Sequence, residues 1–573
     1  MAKALLKHLT KARGVWSALR ALQHRSGREF QRGLTPWTFS ALGLVTLMTI
    51  PILVILLGSL GRESEMWTHL ASTVLSEYVI NSAILMLGVG ALSLLLGLVP
   101  AWLVSTHDFP GRKTFEWSLV LPLAIPTYII AYTYAGLLEY DNMLPRTLSA
   151  VWPGLEAWRL RSAVMSLRGV IFMMALVLYP YVYIIARASF MRQSGAVLET
   201  ASALGRGPWD TFAKVALPMS RPAVVGGLTL VLMEVLNEYG AVRYFGVPTF
   251  TTGIFRAWFP LNDPVAAMRL SGILLLFVFT LIVFERLQRG RARFHDEAKG
   301  YRPTKRRALK GLRGWFAYGT CLIPVALGFL VPVAQLTTWA TSAGWDALDA
   351  RFVRLTLHSF SLALSAALIA VSAGLLIGYA AHLSPTPILR LASKIAVLGY
   401  SIPGAVIAVG VFIPLVWVDR LLNALMTTTF DIPTGLLMSG TLLALIFAYM
   451  VRFLAVALNP LESGFKHLCG NLDETSRSLG VPPLKTLWKV DLPLLKGTLV
   501  SAALLVFVDV LKELPLTLIL RPFNFDTLAT RAFQLAANEQ LTQSAIPALL
   551  IIAVGLVPVI LLNRLIGRVG EES

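Results

Sequence analysis

The chain has 573 residues, of which 56% are hydrophobic and only 14% are charged, and its formal net charge is +19. Apolar runs long enough to cross a bilayer explain this composition, so we expect a polytopic membrane protein and not a soluble multidomain protein. The basic residues concentrate at 1–35 and 286–313, beside predicted spans. Because Lys and Arg gather on the cytoplasmic side of a membrane, this distribution argues against nucleic-acid binding.

The N-terminal tail, residues 1–35, is basic but lacks a short apolar core followed by a small-residue cleavage site. We expect it to stay in the cytoplasm and not to be removed as a signal peptide. Twelve spans follow, and an even number puts both termini on one side, which the basic tail identifies as the cytoplasm. The predicted spans are 36–60, 79–105, 116–138, 168–190, 222–245, 268–288, 315–339, 357–382, 393–418, 434–458, 498–521 and 545–566.

A polar loop between the fourth and fifth predicted spans returns 275 residues later, between the tenth and eleventh. Each copy, which we call a knuckle, is predicted to contain a short helix opened by a carboxylate, a glycine turn with positive φ, and a new helix started by Leu-Pro. The defining residues are Glu199, Ala201, Gly205, Leu217 and Pro218 in the first knuckle and Glu474, Gly480, Leu492 and Pro493 in the second.

The repeat extends beyond the knuckles, because Ile125-Pro126 corresponds to Ile402-Pro403 at a register of 277 residues. We therefore expect an all-α protein of 12 transmembrane helices in two parallel six-helix repeats. The predicted division is a tail at 1–35, a first repeat at 36–288, a basic cytoplasmic linker at 289–314, a second repeat at 315–566 and a cytoplasmic tail at 567–573.

The knuckle sequences E-T-A-S-A-L-G and E-T-S-R-S-L-G, each followed by V-x-L-P, resemble the E-A-A-x-x-x-G-x9-I-x-L-P loop of permease subunits of bacterial ABC importers. Thr or Ser replaces Ala at some positions, and Val replaces Ile. The resemblance implies a type I ABC importer permease fold in the inner membrane, with each knuckle docked on one of two copies of a cytoplasmic ATPase. ATP and Mg would belong to that partner, because the chain has no G-x-x-x-x-G-K-[ST] loop. We accordingly assign no catalytic residue, no bound cofactor and no metal site to this chain.

The span after each knuckle carries two acidic residues four positions apart, and on a helix this spacing puts them on one face. A carboxylate inside a membrane costs about 2.5–3.5 kcal/mol on insertion scales, so it usually faces a cavity or a partner. One interpretation is that these carboxylates line a narrow part of the transport path and favour a cation there. The other is structural: the carboxylates form ion pairs with Lys512 or Arg243. The candidate path residues are Glu234, Glu238, Asp509 and Glu513. Tyr132, with Tyr128 and Tyr134, follows the Ile125-Pro126 pair and could also line the path, although aromatic packing is an alternative explanation.

The segments after the acidic spans, 244–258 and 521–533, are candidate docking surfaces for a periplasmic binding protein. N-E-Y-G-A-V-R-Y-F-G-V-P-T-F-T-T-G-I-F-R-A-W and D-V-L-K-E-L-P-L-T-L-I-L-R-P-F-N-F-D-T-L-A-T look like the fused permeases of ferric iron ABC importers. That resemblance implies import of ferric iron delivered by a periplasmic iron-binding protein.

Other functions stay open at this point. Related fused permeases are associated with thiamine and phosphonates. An ion-gradient secondary transporter would leave the paired knuckles unexplained, and a membrane enzyme acting on lipid would need a polar catalytic cluster that the sequence does not offer.

Overall fold

The computed structural model describes residues 35–61, 64–139, 157–193, 200–201, 203–289, 306–344, 348–468, 475–476 and 478–571. Helix dominates because a backbone inside a bilayer must pair its N–H and C=O groups within its own segment. The first half contains α1 (Pro36–Gly58), α2 (Glu65–Thr73), α3 (Leu75–Thr106), β1 (His107–Asp108), α4 (Arg112–Ser118), α5 (Thr127–Leu137), α6 (Ala157–Val164), α7 (Leu167–Arg192), α8 (Pro208–Thr211), α9 (Leu217–Asn237), α10 (Gly240–Tyr244), α11 (Phe250–Trp258) and α12 (Pro264–Arg289).

The second half repeats this order of long and short helices. It contains β2 (Arg307–Ala308), α13 (Leu312–Val325), α14 (Val331–Ala343), α15 (Ala350–Leu383), α16 (Pro387–Ala396), α17 (Leu398–Ser401), α18 (Gly404–Phe430), α19 (Leu442–His467), α20 (Pro483–Thr486), α21 (Leu492–Leu511), α22 (Pro515–Leu520), α23 (Leu528–Ala537) and α24 (Leu541–Glu571). A 3-10 turn lies at Leu121–Ala124, and π turns lie at Phe212–Ala216, Ala326–Leu330 and Leu487–Asp491.

The predicted all-α membrane architecture is confirmed. Over the residues that the structure describes, eleven helices are long and apolar enough to cross a membrane. A further pair, Arg112–Ala124 and Thr127–Leu137, bends by 91°, and counting it as one span makes twelve. The boundaries predicted for the repeats, the linker and the tails stay predictions.

Two of the predicted spans, 116–138 and 393–418, are wrong as single helices because each is broken at its Ile-Pro pair. Pro126 (φ −59°, ψ 145°) and Pro403 (φ −56°, ψ 140°) have extended backbones and cap the helices that follow, α5 and α18. Proline has no N–H to continue a helix, so each span turns at this residue. In the second repeat the long helix therefore starts only at Gly404 and runs to Phe430.

The chain divides into two compact units, each with its own core. The first comprises Met1–Ile50, Ser365–Tyr400 and Tyr449–Val506. Its buried core contains Tyr379 and Phe465, and the ring of Trp37 meets Tyr379 edge-on with 5.1 Å between centroids. The second knuckle is tied to this core, because the Tyr379 hydroxyl donates to the carbonyl of Pro483 at 2.7 Å.

The second unit comprises Pro51–Leu364, Ser401–Ala448 and Phe507–Ser573. Its core includes Trp102, Phe190 and Phe212, with Trp102 centred 5.3 Å from Phe190 and 5.2 Å from Phe212. Close packing of α3 on α7 depends on Gly97, where an added Cβ would lie 2.8 Å from the carbonyl oxygen of Tyr179.

A two-residue parallel ladder fixes the end of the predicted linker within the second unit. His107 pairs with Arg307 and Asp108 with Ala308, and the Leu309 N–H donates to the Asp108 carbonyl at 2.8 Å. Residues 307–309, within the predicted linker, are therefore anchored to the end of α3.

Candidate coupling knuckles and buried acidic cluster

The glycine turn predicted for each knuckle is present. Gly205 has φ +78° and Gly480 has φ +72°, and neither has an atom within 4 Å of an added Cβ. The requirement for glycine is therefore conformational and not steric. Glu199 and Glu474 lie outside the described residues.

The hydrogen bonds around the two turns match at the 275-residue register. In the first knuckle the Arg206 N–H donates to the Ala201 carbonyl at 3.1 Å, and in the second the Val481 N–H donates to the Ser476 carbonyl at 3.0 Å. These bonds reach back five residues across the glycine, the pattern that closes a helix through a left-handed residue.

The prediction that Leu-Pro starts a new helix is confirmed only in part: α9 begins at Leu217 and α21 at Leu492, but each continues from a helical turn before it. The fifth span runs through Trp209–Asn237 and the eleventh through Pro483–Leu511 without a restart. A π turn precedes each proline, and the N–H groups of Leu217 and Leu492 donate to carbonyls five residues earlier. The wider turn accommodates Pro218 and Pro493, which cannot donate an α-helical hydrogen bond.

Each knuckle also presents large apolar side chains to solvent. Leu204 is 76% exposed and Trp209 is 72% exposed in the first, and Leu479 is 76% exposed and Trp488 is 66% exposed in the second. Ala201, by contrast, is buried. Exposed apolar side chains clustered on an ordered turn are typical of a surface that binds another protein.

The predicted acidic pairs do not lie on one helix face, because each helix ends before its second carboxylate. α9 stops at Asn237 and α21 at Leu511, and Glu238 has an extended backbone (φ −68°, ψ 129°). Both glutamates are buried and cap the next helix: the Ala241 N–H donates to Glu238 Oε1 at 2.7 Å, and the Leu516 N–H donates to Glu513 Oε1 at 3.0 Å. The structural interpretation is thus confirmed in part: Asp509 pairs with Lys512 as it predicts, whereas the two glutamates are held by backbone amides.

The four acidic residues nevertheless form one cluster within the second unit. Glu238 lies within electrostatic range of Glu234 and Glu513. Lys512 forms an ion pair with Asp509 at 2.9 Å and lies within electrostatic range of Glu234 and Glu513. These four carboxylates and the Lys512 ammonium together carry net negative charge when all are ionised, which favours a cation.

Sequence reasoning missed the residues that meet this cluster from the broken spans. The Thr127 hydroxyl donates to Glu238 Oε2, and the Gly404 N–H donates to the Asn237 side-chain oxygen at 2.8 Å. Thr127 and Gly404 both follow an Ile-Pro pair directly. The two Ile-Pro pairs therefore marked the right places, but the cluster's partners are apparent only in three dimensions. Tyr132 packs against Tyr244, with 6.2 Å between ring centroids.

Two pockets are lined in part by residues that follow α9 and α21 in the chain. One, of about 540 Å³, is lined by Arg243 and Arg256 among aromatic residues of 239–260 and includes no carboxylate. The other, of about 640 Å³, contains Arg351, Arg354 and Arg531 together with Asp349 and Asp526. Of these two acids, Asp526 is already paired with Arg521, and Asp349 caps α15 through the Phe352 N–H at 2.7 Å. The predicted docking segments 244–258 and 521–533 thus contribute to pockets that can receive anionic groups.

Two sets of membrane spans, each with a knuckle leading into a long helix that breaks at a buried glutamate, define a transport permease. The chain belongs to the family of binding-protein-dependent transport system inner membrane components, whose sequence profile matches residues 93–293 and 360–570. It is therefore a multi-pass inner membrane permease of an ABC transporter with two permease domains fused in one chain, and it is not an enzyme. Membership implies an ATPase and a substrate-binding protein as partners.

Similar curated proteins carry different cargo names. The chain is 25% identical over 495 residues to an Fe(3+)-transport system permease protein of Haemophilus influenzae, a match that covers 86% of this chain and 90% of that protein. It is 24% identical over 208 residues to a probable sulfate transport system permease protein of Nephroselmis olivacea, covering 36% and 70%. It is also 24% identical over 214 residues to a molybdate/tungstate transport system permease protein of Thermococcus kodakarensis, covering 37% and 78%.

Proposed function

We propose that this permease imports ferric iron delivered by a periplasmic iron-binding protein. The observation that carries the proposal is the acidic cluster of Glu234, Glu238, Asp509 and Glu513 beside Lys512, in which Glu238 and Glu513 are buried. Sulfate, molybdate and phosphonates are anions and would be repelled there, whereas a multivalent cation is attracted. The match to the iron-transport permease also extends over most of both chains, unlike the sulfate and molybdate matches.

Coupling would proceed through the knuckles. Two ATPase copies would each bind one knuckle on the cytoplasmic side, where both termini of the chain would also lie. Each knuckle continues into a helical segment of 29 residues, Trp209–Asn237 or Pro483–Leu511. At about 1.5 Å per residue, such a segment is about 43 Å long and reaches across the membrane. Movement of a knuckle would therefore be transmitted along one helix to Glu238 or Glu513.

The binding protein would dock on the opposite side. The two arginine-lined pockets lie at the same junction in each repeat, between the start of a long span (α3 or α15) and the short helices after the acidic residue. Guanidinium groups in such pockets favour carboxylates, which they bind in a bidentate manner. We therefore expect acidic side chains on the two lobes of the binding protein to enter them.

The test is uptake of labelled ferric iron in cells that contain the permease, its ATPase and its binding protein. The Glu238→Gln and Glu513→Gln double variant keeps a side-chain oxygen for each helix cap but removes both charges. Removing two close charges from the path of a cation should lower uptake at least about tenfold. Assembly with the ATPase should be unchanged, since the knuckles are untouched.

The matched control is Glu65→Gln with Glu77→Gln, two exposed acids near the starts of α2 and α3. Labelled thiamine and sulfate are measured in parallel. Iron uptake that does not depend on the chain, with thiamine or sulfate uptake that does, would overturn the choice of cargo. Unchanged iron uptake in the double variant would overturn the role of the cluster.

A further inference from the structure

Three tyrosines follow the first broken span, and the structure gives them different surroundings. The Tyr134 hydroxyl donates to the Leu327 carbonyl at 2.7 Å. Tyr132 packs on Tyr244, and its hydroxyl, near Ser544, also has no hydrogen-bond partner among the described residues. Tyr128 is only 3% exposed, and its hydroxyl has no hydrogen-bond partner within the part of the chain that the structure describes. A buried polar group left without a partner lowers stability by about 1–3 kcal/mol. A ligand bound to the Tyr128 hydroxyl would remove this cost.

The side chain of Tyr128 is held at the point where the two repeats bring their glutamates together. It lies within electrostatic range of both Glu238 and Glu513, and the hydroxyl of the preceding residue, Thr127, donates to Glu238 Oε2. Its ring meets Phe533 edge-on with 6.2 Å between centroids, and an added Cβ at Gly240 would lie 2.5 Å from the Tyr128 Cβ. Packing on both sides therefore fixes the phenol in place before any ligand arrives.

The two carboxylates are also fixed in orientation. Each accepts a backbone N–H through Oε1, from Ala241 at 2.7 Å and from Leu516 at 3.0 Å. Glu238 also accepts the Thr127 hydroxyl through Oε2. A carboxylate offers about four lone-pair positions, more than these hydrogen bonds use, so it can still bind a cation. A phenol and two carboxylates, all buried and held by the fold, supply the hard oxygen ligands that multivalent cations prefer.

We infer that Tyr128, Glu238 and Glu513 form a transit site that ligates the transported ferric ion through one phenolate and two carboxylate groups. This inference rests on the proposed function. As the iron–oxygen bond to Tyr128 forms, the phenol O–H bond breaks and its proton leaves to water from the ion's hydration shell. No electron is transferred, and the iron remains ferric.

The neighbouring ammonium of Lys512 lowers the electrostatic cost of the carboxylates when no iron is bound. Lys512 is paired with Asp509 and also interacts electrostatically with Glu234 and Glu513. One positive charge beside the carboxylates reduces their mutual repulsion in the empty site, yet it leaves the cluster negative enough to attract the next ion.

The experiment uses the purified full-length chain in nanodiscs, titrated with ferric iron supplied as its nitrilotriacetate complex. Phenolate bound to ferric iron absorbs visible light through charge transfer, so the wild-type chain should develop a visible band that saturates at one iron per chain. Tyr128→Phe should lose the band. Tyr179→Phe should keep it, because Tyr179 is also fully buried with an unpartnered hydroxyl but neighbours Tyr183 and Cys321 and no carboxylate.

Tyr128→Phe removes only an unpartnered oxygen, so its melting temperature should be no lower than that of the wild type, and this is measured alongside. A wild-type chain without the band, or a band that survives in Tyr128→Phe, overturns the transit site. Cellular iron uptake separates the two hypotheses: uptake that requires the chain without any band leaves the proposed function standing and removes only the site. A chain that neither supports iron uptake nor develops the band removes both.

Discussion

The left-handed glycine of the first knuckle offers the sharpest test of coupling. Gly205 has φ +78° with nothing within 4 Å of an added Cβ, so Gly205→Ala creates no clash and changes only the backbone preference. A non-glycine residue pays about 1–2 kcal/mol to adopt this conformation. If the ATPase recognises the turned conformation, that cost reappears in docking as an affinity about 5- to 30-fold lower.

The assay is titration of the permease in nanodiscs with its ATPase subunit. Gly207→Ala is the matched control, since Gly207 is equally exposed and open but has no positive φ. Gly205→Asn should fall between the wild type and Gly205→Ala, because Asn enters the left-handed region more readily than Ala. Equal weakening by Gly207→Ala would mean that side-chain bulk at the interface is responsible, and unchanged binding by Gly205→Ala would refute the reasoning.

Three further changes test packing, ionisation and docking. Gly97→Ala should lower the melting temperature of the purified chain, because its Cβ would lie 2.8 Å from a backbone oxygen and overpacking costs about 1–3 kcal/mol. Burial, reinforced by the Arg307 cation, lowers the pKa of His107, so the unfolded chain binds a proton more readily. The stability from neutral His107 is therefore present above about pH 6.5 and lost as pH falls through the lowered pKa, and His107→Gln should flatten the melting temperature between about pH 5 and 7. Arg256→Glu should reduce stimulation of ATP hydrolysis by the binding protein while basal hydrolysis is unchanged, since the pocket is remote from the knuckles.

Each of these changes has a control. Gly43→Ala meets nothing within 4 Å and should leave the melting temperature unchanged. An equally steep pH dependence in His107→Gln would assign the effect to another group. Arg168→Glu reverses an exposed charge at the start of α7 and should not affect the binding protein; equal effects of Arg168→Glu and Arg256→Glu would indicate general electrostatics and not a specific pocket.

The features that local chemistry determines could be predicted from the sequence. Apolar length predicted the spans, and the glycines at 205 and 480 predicted turns with positive φ, because only the backbone of the residue itself is involved. The end of α9 at Asn237 could not be predicted in this way. The apolar run continues past it, and the break is held by Ala241 N–H on the Glu238 carboxylate and by the Thr251 hydroxyl on the Glu238 carbonyl at 2.5 Å.

The candidate site, like the fold, could be predicted from the sequence only in part. The carboxylates were visible in the sequence because charge is rare inside a membrane. Their joint location depends on which helices pack together. Thr127 gave no signal beyond its place after an Ile-Pro pair, and Tyr128 was one of three tyrosines there that the sequence could not tell apart. The π turns before Pro218 and Pro493 were also hidden, since a Leu-Pro pair suits the start of an α-helix as well as the end of a wider turn.

The break in each long helix also shows what fusion of two domains makes available. Asn237 and Lys512 occupy the same position in their repeats, 275 residues apart, yet one holds the Gly404 amide and the other neutralises Asp509. In a symmetric homodimer one gene would encode both positions, and each substitution would appear twice. In a fused chain the two copies can change independently. One position can then hold a neighbouring backbone amide while the equivalent position sets the charge of the acidic cluster.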